Sequence, residues 1–138
     1  MGWFKKLIGL EAEAHAVVAL TDDNFKKEVL DSPVPVLVDA WSQGCGPCKL
    51  LEPVVMQLSR DYQGRLKVAE FDVALAPKTA ARLRVTGTPT VVYFSKGREV
   101  ERVVGYRAGH YHRELIDQEL LPAAEPRTTA APPPARQG

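Results

Sequence analysis

Val34-Pro35-Val36-Leu37-Val38-Asp39-Ala40-Trp41 runs through Ser42-Gln43-Gly44 into Cys45-Gly46-Pro47-Cys48. The first eight residues are nearly continuous in their apolar character, as in a strand covered on both faces. Beyond the cysteines, Leu50, Leu51, Val54, Val55 and Leu58 repeat at helical spacing and predict a helix over about 46–62. Pro53 lies inside that helix and should kink it. Leu66 to Val73 reads as a second buried strand. Strand, helix and strand make a βαβ unit, whose crossover should be right-handed and whose strands should be parallel. The two cysteines therefore sit where a buried strand gives way to a helix.

Outward from this unit the pattern continues. Thr21-Asp22-Asp23 resembles a helix cap, with Phe25, Val29 and Leu30 at helical spacing behind it, and Pro33 and Pro35 end that element. Ala76 to Leu83 predicts a short helix and Thr90 to Phe94 a third strand. Lys96-Gly97 makes a turn from which Glu99 to Val104 returns antiparallel. Leu115, Ile116, Leu120 and Leu121 place a closing helix over 109–121, and Val17 to Leu20 suggests a strand at the start. The expectation is a small layered α/β domain with a mixed sheet and no internal repeat.

The 138 residues carry 18 Lys+Arg against 17 Asp+Glu, so no global field draws the chain to nucleic acid or to an anionic membrane. Residues 17–121 are expected to form the domain. Five of the eleven prolines fall in 122–138, which has no aliphatic side chain larger than alanine and so should form a disordered tail. Residues 1–16 read as an N-terminal extension. Its apolar core, Leu7 to Leu10, is too short for a signal peptide. Lys6 stands where a myristoylation motif needs Ser or Thr. Trp3, Phe4, Leu7 and Ile8 share one helical face. A short amphipathic turn on the domain is the stronger reading of that face, and membrane contact through residues 3–10 the weaker.

Two cysteines three residues apart exclude a multi-disulfide scaffold and a self-contained cysteine zinc site. A metal site would need His15, His110 and His112, and the last two are not spaced as a helical pair. Thiol–disulfide exchange suits the pair better. Cys45 lies at or beside a helix N-cap, where free backbone N–H groups and the positive end of the helix dipole favour a thiolate. Cys48 lies one turn on, within reach of a disulfide. Gly46 allows close backbone approach by a substrate, and Pro47 stiffens the first turn. Cys45 would then attack a substrate disulfide and Cys48 resolve the mixed disulfide.

At this point the chain resembles the thioredoxin family. Residues 34–48 are similar to its active-site segment, Gly87-Thr88-Pro89-Thr90 to its cis-proline loop, and Val104-Gly105-Tyr106 to the glycine segment that completes its substrate groove. Lys49, Pro53 and Tyr62-Gln63-Gly64 are also similar. The resemblance spans about 17–121. It implies a thioredoxin fold, a central mixed sheet with helices on both faces, and reduction of protein disulfides. It implies a cis bond between Thr88 and Pro89, a groove formed by Gly44, Gly46, Pro47, Thr88, Pro89, Val104 and Gly105, and strand-like pairing of an extended substrate beside Pro89. Asp39 would be the general acid and base for Cys48, its pKa raised by burial. Trp41 would pack beneath the site.

Two departures stand out. The family usually has Trp before the first cysteine, where this chain has Gly44. It often has a buried Lys where this chain has Glu70. Glu70 either repels Asp39, raising at least one apparent pKa, or points to solvent. The resemblance also implies no bound cofactor, with electrons from an NADPH-dependent thioredoxin reductase. A cytoplasmic monomer is expected, with protein disulfides as substrates. The competing reading is a binding or scaffold subunit of the same fold, holding partners in its groove with incidental turnover.

Overall fold

The computed structural model describes residues 17–121. The extension over 1–16 and the tail over 122–138 lie outside the described residues. Strands β1 (Val18–Ala19), β2 (Val36–Trp41), β3 (Lys67–Asp72) and β4 (Thr90–Ser95) are separated by helices, and β5 (Arg98–Val104) follows β4 directly. The helices are α1 (Lys26–Leu30), α2 (Gly46–Asp61), α3 (Pro77–Arg82) and α4 (Gly109–Leu115), the last continuing as a wider turn over Ile116–Leu120. Among the described residues no helix is long and apolar enough to cross a membrane.

The five strands form one mixed sheet in the order β1-β3-β2-β4-β5. β2 runs parallel to β3 and antiparallel to β4, so it lies at the centre. Its side chains alternate between two cores. Val36, Val38 and Ala40 pack with Phe25 just before α1, with Val29 of α1 and with Leu83 at the end of α3. Leu37 packs on the other side with Leu51, Val55 and Leu58 of α2 and with Ile116 and Leu120. Helices on both faces explain why the strand reads as an unbroken apolar run. The same alternation puts Asp39 on the α2 side. Glu70 is its register partner on β3, alternating with Val68, which belongs to the α2 core.

The element boundaries move slightly from the sequence expectation. β2 begins at Val36 rather than Val34, because Ser32 Oγ donates to the Val34 carbonyl and accepts from the Val34 N–H, clipping that residue into a local turn. Leu66 stays outside β3, its N–H held by the Tyr62 carbonyl at 2.9 Å. α1 starts from a reciprocal cap in which Thr21 Oγ1 accepts from the Asn24 N–H and Asn24 Oδ1 accepts from the Thr21 N–H. It then widens, the Asp31 N–H reaching back five residues to the Lys26 carbonyl. α2 runs unbroken past Pro53.

Two features outside the site also carry polar or conformational constraint. His112 of α4 is buried against Tyr93, its Nδ1 2.5 Å from the phenolic oxygen. Desolvation lowers the His112 pKa to about 4 and raises that of Tyr93. The β4–β5 turn places both Lys96 and Gly97 at positive φ, 55° and 79°. A Cβ on Gly97 would lie 2.9 Å from the Leu30 carbonyl oxygen. Gly97→Ala should therefore cost about 1–3 kcal/mol. Urea unfolding should show a lower midpoint at unchanged slope; an unchanged midpoint would contradict this reading of the turn.

Candidate active site

Cys45 caps α2 from an extended backbone conformation, φ −93° and ψ 110°, and Cys48 falls in the first helical turn. The two form a disulfide with their Cα atoms 5.2 Å apart. The Cys48 N–H donates to Cys45 Sγ at 3.2 Å, so a helix-terminal donor already points at that sulfur. The two cysteines differ in access: Cys45 is half-buried and Cys48 is 7% exposed. Gly46 and Pro47 between them are exposed, leaving the helix start open to a partner's backbone.

A second segment closes on the first from far along the chain. The Thr88–Pro89 bond is cis. The Thr88 carbonyl oxygen stands 3.6 Å from Cys45 Sγ. Ser42 Oγ and Thr88 Oγ1 share a hydrogen bond at 2.6 Å, tying the end of β2 to this loop. The Pro89 carbonyl accepts from the Gly105 N–H at 2.8 Å, which brings the end of β5 alongside. Gly105 has φ 93°, and Val104 before it is exposed. Cys45, Thr88, Pro89 and Gly105 thus converge at one end of the sheet. Gly44, Gly46 and Pro47 border Cys45 in the chain, and Val104 extends the β5 side.

Behind the disulfide lies a cleft of about 370 Å³, lined by Asp39, Trp41, Gly44, Cys48, Glu52 and Glu70 among others. Asp39 is 4% exposed, and its Oδ1 has no hydrogen-bond partner. Burial first, and then the negative charges of Glu70 and Glu52, push its pKa up to about 7. Glu70 is itself raised by burial and by Glu52. Glu70 is half-buried and is the register partner of Asp39, so of the two sequence readings the structure favours the repelling neighbour over a side chain pointing to solvent. Trp41 is half-buried beside the cleft, its indole N–H buried without an acceptor. Among the described residues no three of His, Cys, Asp and Glu are placed to hold a metal ion.

The family model described as Thioredoxin matches residues 16–118. The chain belongs to the thioredoxin family. It is 42% identical over 90 residues to Thioredoxin 1 of a Nostoc species, covering 65% of this chain and 84% of that protein. It is 39% identical over 105 residues to the Thioredoxin of Staphylococcus aureus, covering 76% of this chain and 99% of that protein. A Synechocystis Thioredoxin is 41% identical over 90 residues. With its paired cysteines, this thioredoxin-family chain is a thiol–disulfide oxidoreductase that reduces protein disulfides.

Two members of the site escaped sequence reasoning. Glu52 lies four residues beyond Cys48 on the same helix, a spacing that could have placed it on the Cys48 face. Ser42 gave no local signal, because its partner Thr88 lies 46 residues away.

Proposed function

We propose that Cys45 is the attacking cysteine, Cys48 the resolving cysteine and Asp39 the acid–base group that serves Cys48. The observation that carries this is the asymmetry of the pair: Cys45 is the less buried residue, and its sulfur receives the Cys48 N–H and faces the Thr88 carbonyl. In the reduced protein the Cys45 thiolate attacks one sulfur of a substrate disulfide. A Cys45–substrate bond forms, and the other substrate sulfur leaves as a thiolate that takes up a proton. Cys48 gives its proton to ionised Asp39 and attacks Cys45 Sγ. The mixed disulfide breaks, the second substrate sulfur leaves as a thiolate that takes up the proton held by Asp39, and the Cys45–Cys48 disulfide forms. Two electrons pass from the dithiol to the substrate.

In this reading residues 17–121 are the functional unit. Gly44, Gly46, Pro47, Thr88, Pro89, Val104 and Gly105 form the groove for an extended protein segment, and Trp41 supports it from beneath. No bound cofactor is needed, because the thiols carry both electrons. The electron donor is an NADPH-dependent thioredoxin reductase. A cytoplasmic monomer fits a chain whose only cysteines are the redox pair, since a reducing compartment keeps such a pair in working order.

The test is insulin reduction by the full chain, with NADPH and a thioredoxin reductase as the electron source. NADPH consumption should depend on all three proteins. If insulin is reduced when dithiothreitol is the donor but NADPH is not consumed with the reductase, the donor assignment is wrong. If neither donor supports turnover, the reductase reading falls and the scaffold reading takes its place.

A further inference from the structure

The cleft behind the disulfide has a charge pattern that proton transfer alone does not require. Three carboxyl groups, on β2, β3 and α2, line it: Asp39, Glu70 and Glu52. None of the three has an ion-pair partner among the described residues. Among the described residues, Lys49 is the only cation on its wall. Asp39 Oδ1 is buried, unpartnered and part of the lining, so an acceptor is available at the cleft floor. Like charges lining one cleft raise one another's cost of ionisation, and a cation entering among them relieves that cost.

Access comes from Gly44, where the family usually has Trp. Gly44 is exposed, has φ +76° and forms part of the cleft wall. A Cβ built there meets nothing within 4 Å, so the space beside Gly44 at the cleft wall is open. Metal coordination does not fit, since no three potential ligands among the described residues are suitably placed. A long cationic side chain does fit. The lining pairs an aromatic residue, Trp41, with three carboxyl groups, which suits an aliphatic stem ending in a cationic head.

We propose that this cleft is a subsite for a basic side chain of the substrate, an arginine or lysine flanking the disulfide under attack, with Glu52 and Glu70 as the specificity-determining residues. The subsite rests on the reading in which Cys45 attacks, because Cys45 directly follows Gly44 of the cleft wall, so a substrate sulfur bound to it brings its neighbouring residue beside Gly44. It selects among protein disulfides by the charge beside the cysteine, while the groove at Pro89 holds the backbone.

The test uses three disulfide peptides that differ only in the residue next to the cysteine: Arg, Gln or Glu. Single-turnover rates are measured with the pre-reduced full chain. The Arg peptide should react about threefold to tenfold faster than the Gln peptide, and the Glu peptide slower than both. The Arg-to-Gln ratio should shrink at high salt and approach one in Glu52→Gln/Glu70→Gln. Glu52→Lys should favour the Glu peptide. Taking ratios within each variant removes any general change in its reactivity. Should the double variant fail to fold, the salt dependence in the unaltered chain decides. Equal rates for the three peptides would overturn the subsite, as would a preference that persists in the double variant or ignores salt. If no peptide is reduced, including the neutral one, the attacking role of Cys45 fails, and the subsite with it.

Discussion

Cys45→Ser is expected to reduce insulin no faster than the protein-free control, whatever the electron donor. Serine cannot form the mixed disulfide, and an alkoxide is not available at neutral pH to replace the thiolate. The loss is therefore complete rather than partial. Cys48→Ser should lose turnover as well, by a different route. Its Cys45 thiolate still attacks, but nothing resolves the adduct, so a one-to-one mixed disulfide with substrate accumulates. Non-reducing electrophoresis and mass spectrometry read this directly. Adducts found only through Cys48, in the Cys45→Ser protein, would reverse the assignment of roles. The structure gives a physical reason to expect otherwise: Cys48 is the more buried residue, while Cys45 is half-buried and its sulfur receives a backbone N–H at the start of α2.

Asp39→Asn should produce the largest change in stability, and one that depends on pH. The folded-state pKa of Asp39 is raised from 3.8 to about 7. Below the unfolded pKa the carboxyl is neutral in both states and exacts nothing. As pH rises from about 4 to about 7 the unfolded chain ionises freely while the folded one resists, and stability is lost. A shift of this size corresponds to about 4 kcal/mol above pH 7. Asn cannot ionise, so the variant should match the parent near pH 4 and exceed it by up to about 4 kcal/mol at pH 8–9. Urea unfolding of the oxidised proteins at both pH values measures this. A parent whose stability is flat between them would show that Asp39 ionises normally.

The same substitution should slow resolution of the mixed disulfide, by roughly ten- to a hundredfold, the low end of what a positioned base contributes. Gain of stability and loss of resolution in one variant would mark Asp39 as a residue kept for function. Glu70→Gln removes one of the charges that raise the Asp39 pKa, so the pH profile of resolution should move to lower pH.

Most of the fold was legible because its signals are local. The apolar run over Val36–Ala40, the helical spacing of Leu51, Val55 and Leu58, and the Lys96-Gly97 turn each speak within a few residues of themselves. Errors fell at boundaries, where a single side chain decides. Ser32 captured the Val34 backbone, and no periodicity reports such a competition. The cysteine pair was equally legible, since a CxxC motif at a strand-to-helix junction carries its chemistry in its own spacing. Asp39 announced itself as a charge in an apolar strand.

What lay beyond the sequence was company. By itself the sequence determined a mixed α/β domain, a redox pair at a helix start and a costly carboxylate in the central strand. Each follows from side-chain periodicity or backbone chemistry that acts over one turn or one strand. Only the tertiary structure decided that Glu70 stands beside Asp39, that Glu52 joins them from α2, and that Ser42 meets Thr88 across 46 residues. The physical reason is register. A strand's pattern says which side chains share a face, but the residue across from each is set by how two strands align, and the packing of α2 over both selects the third member of the group.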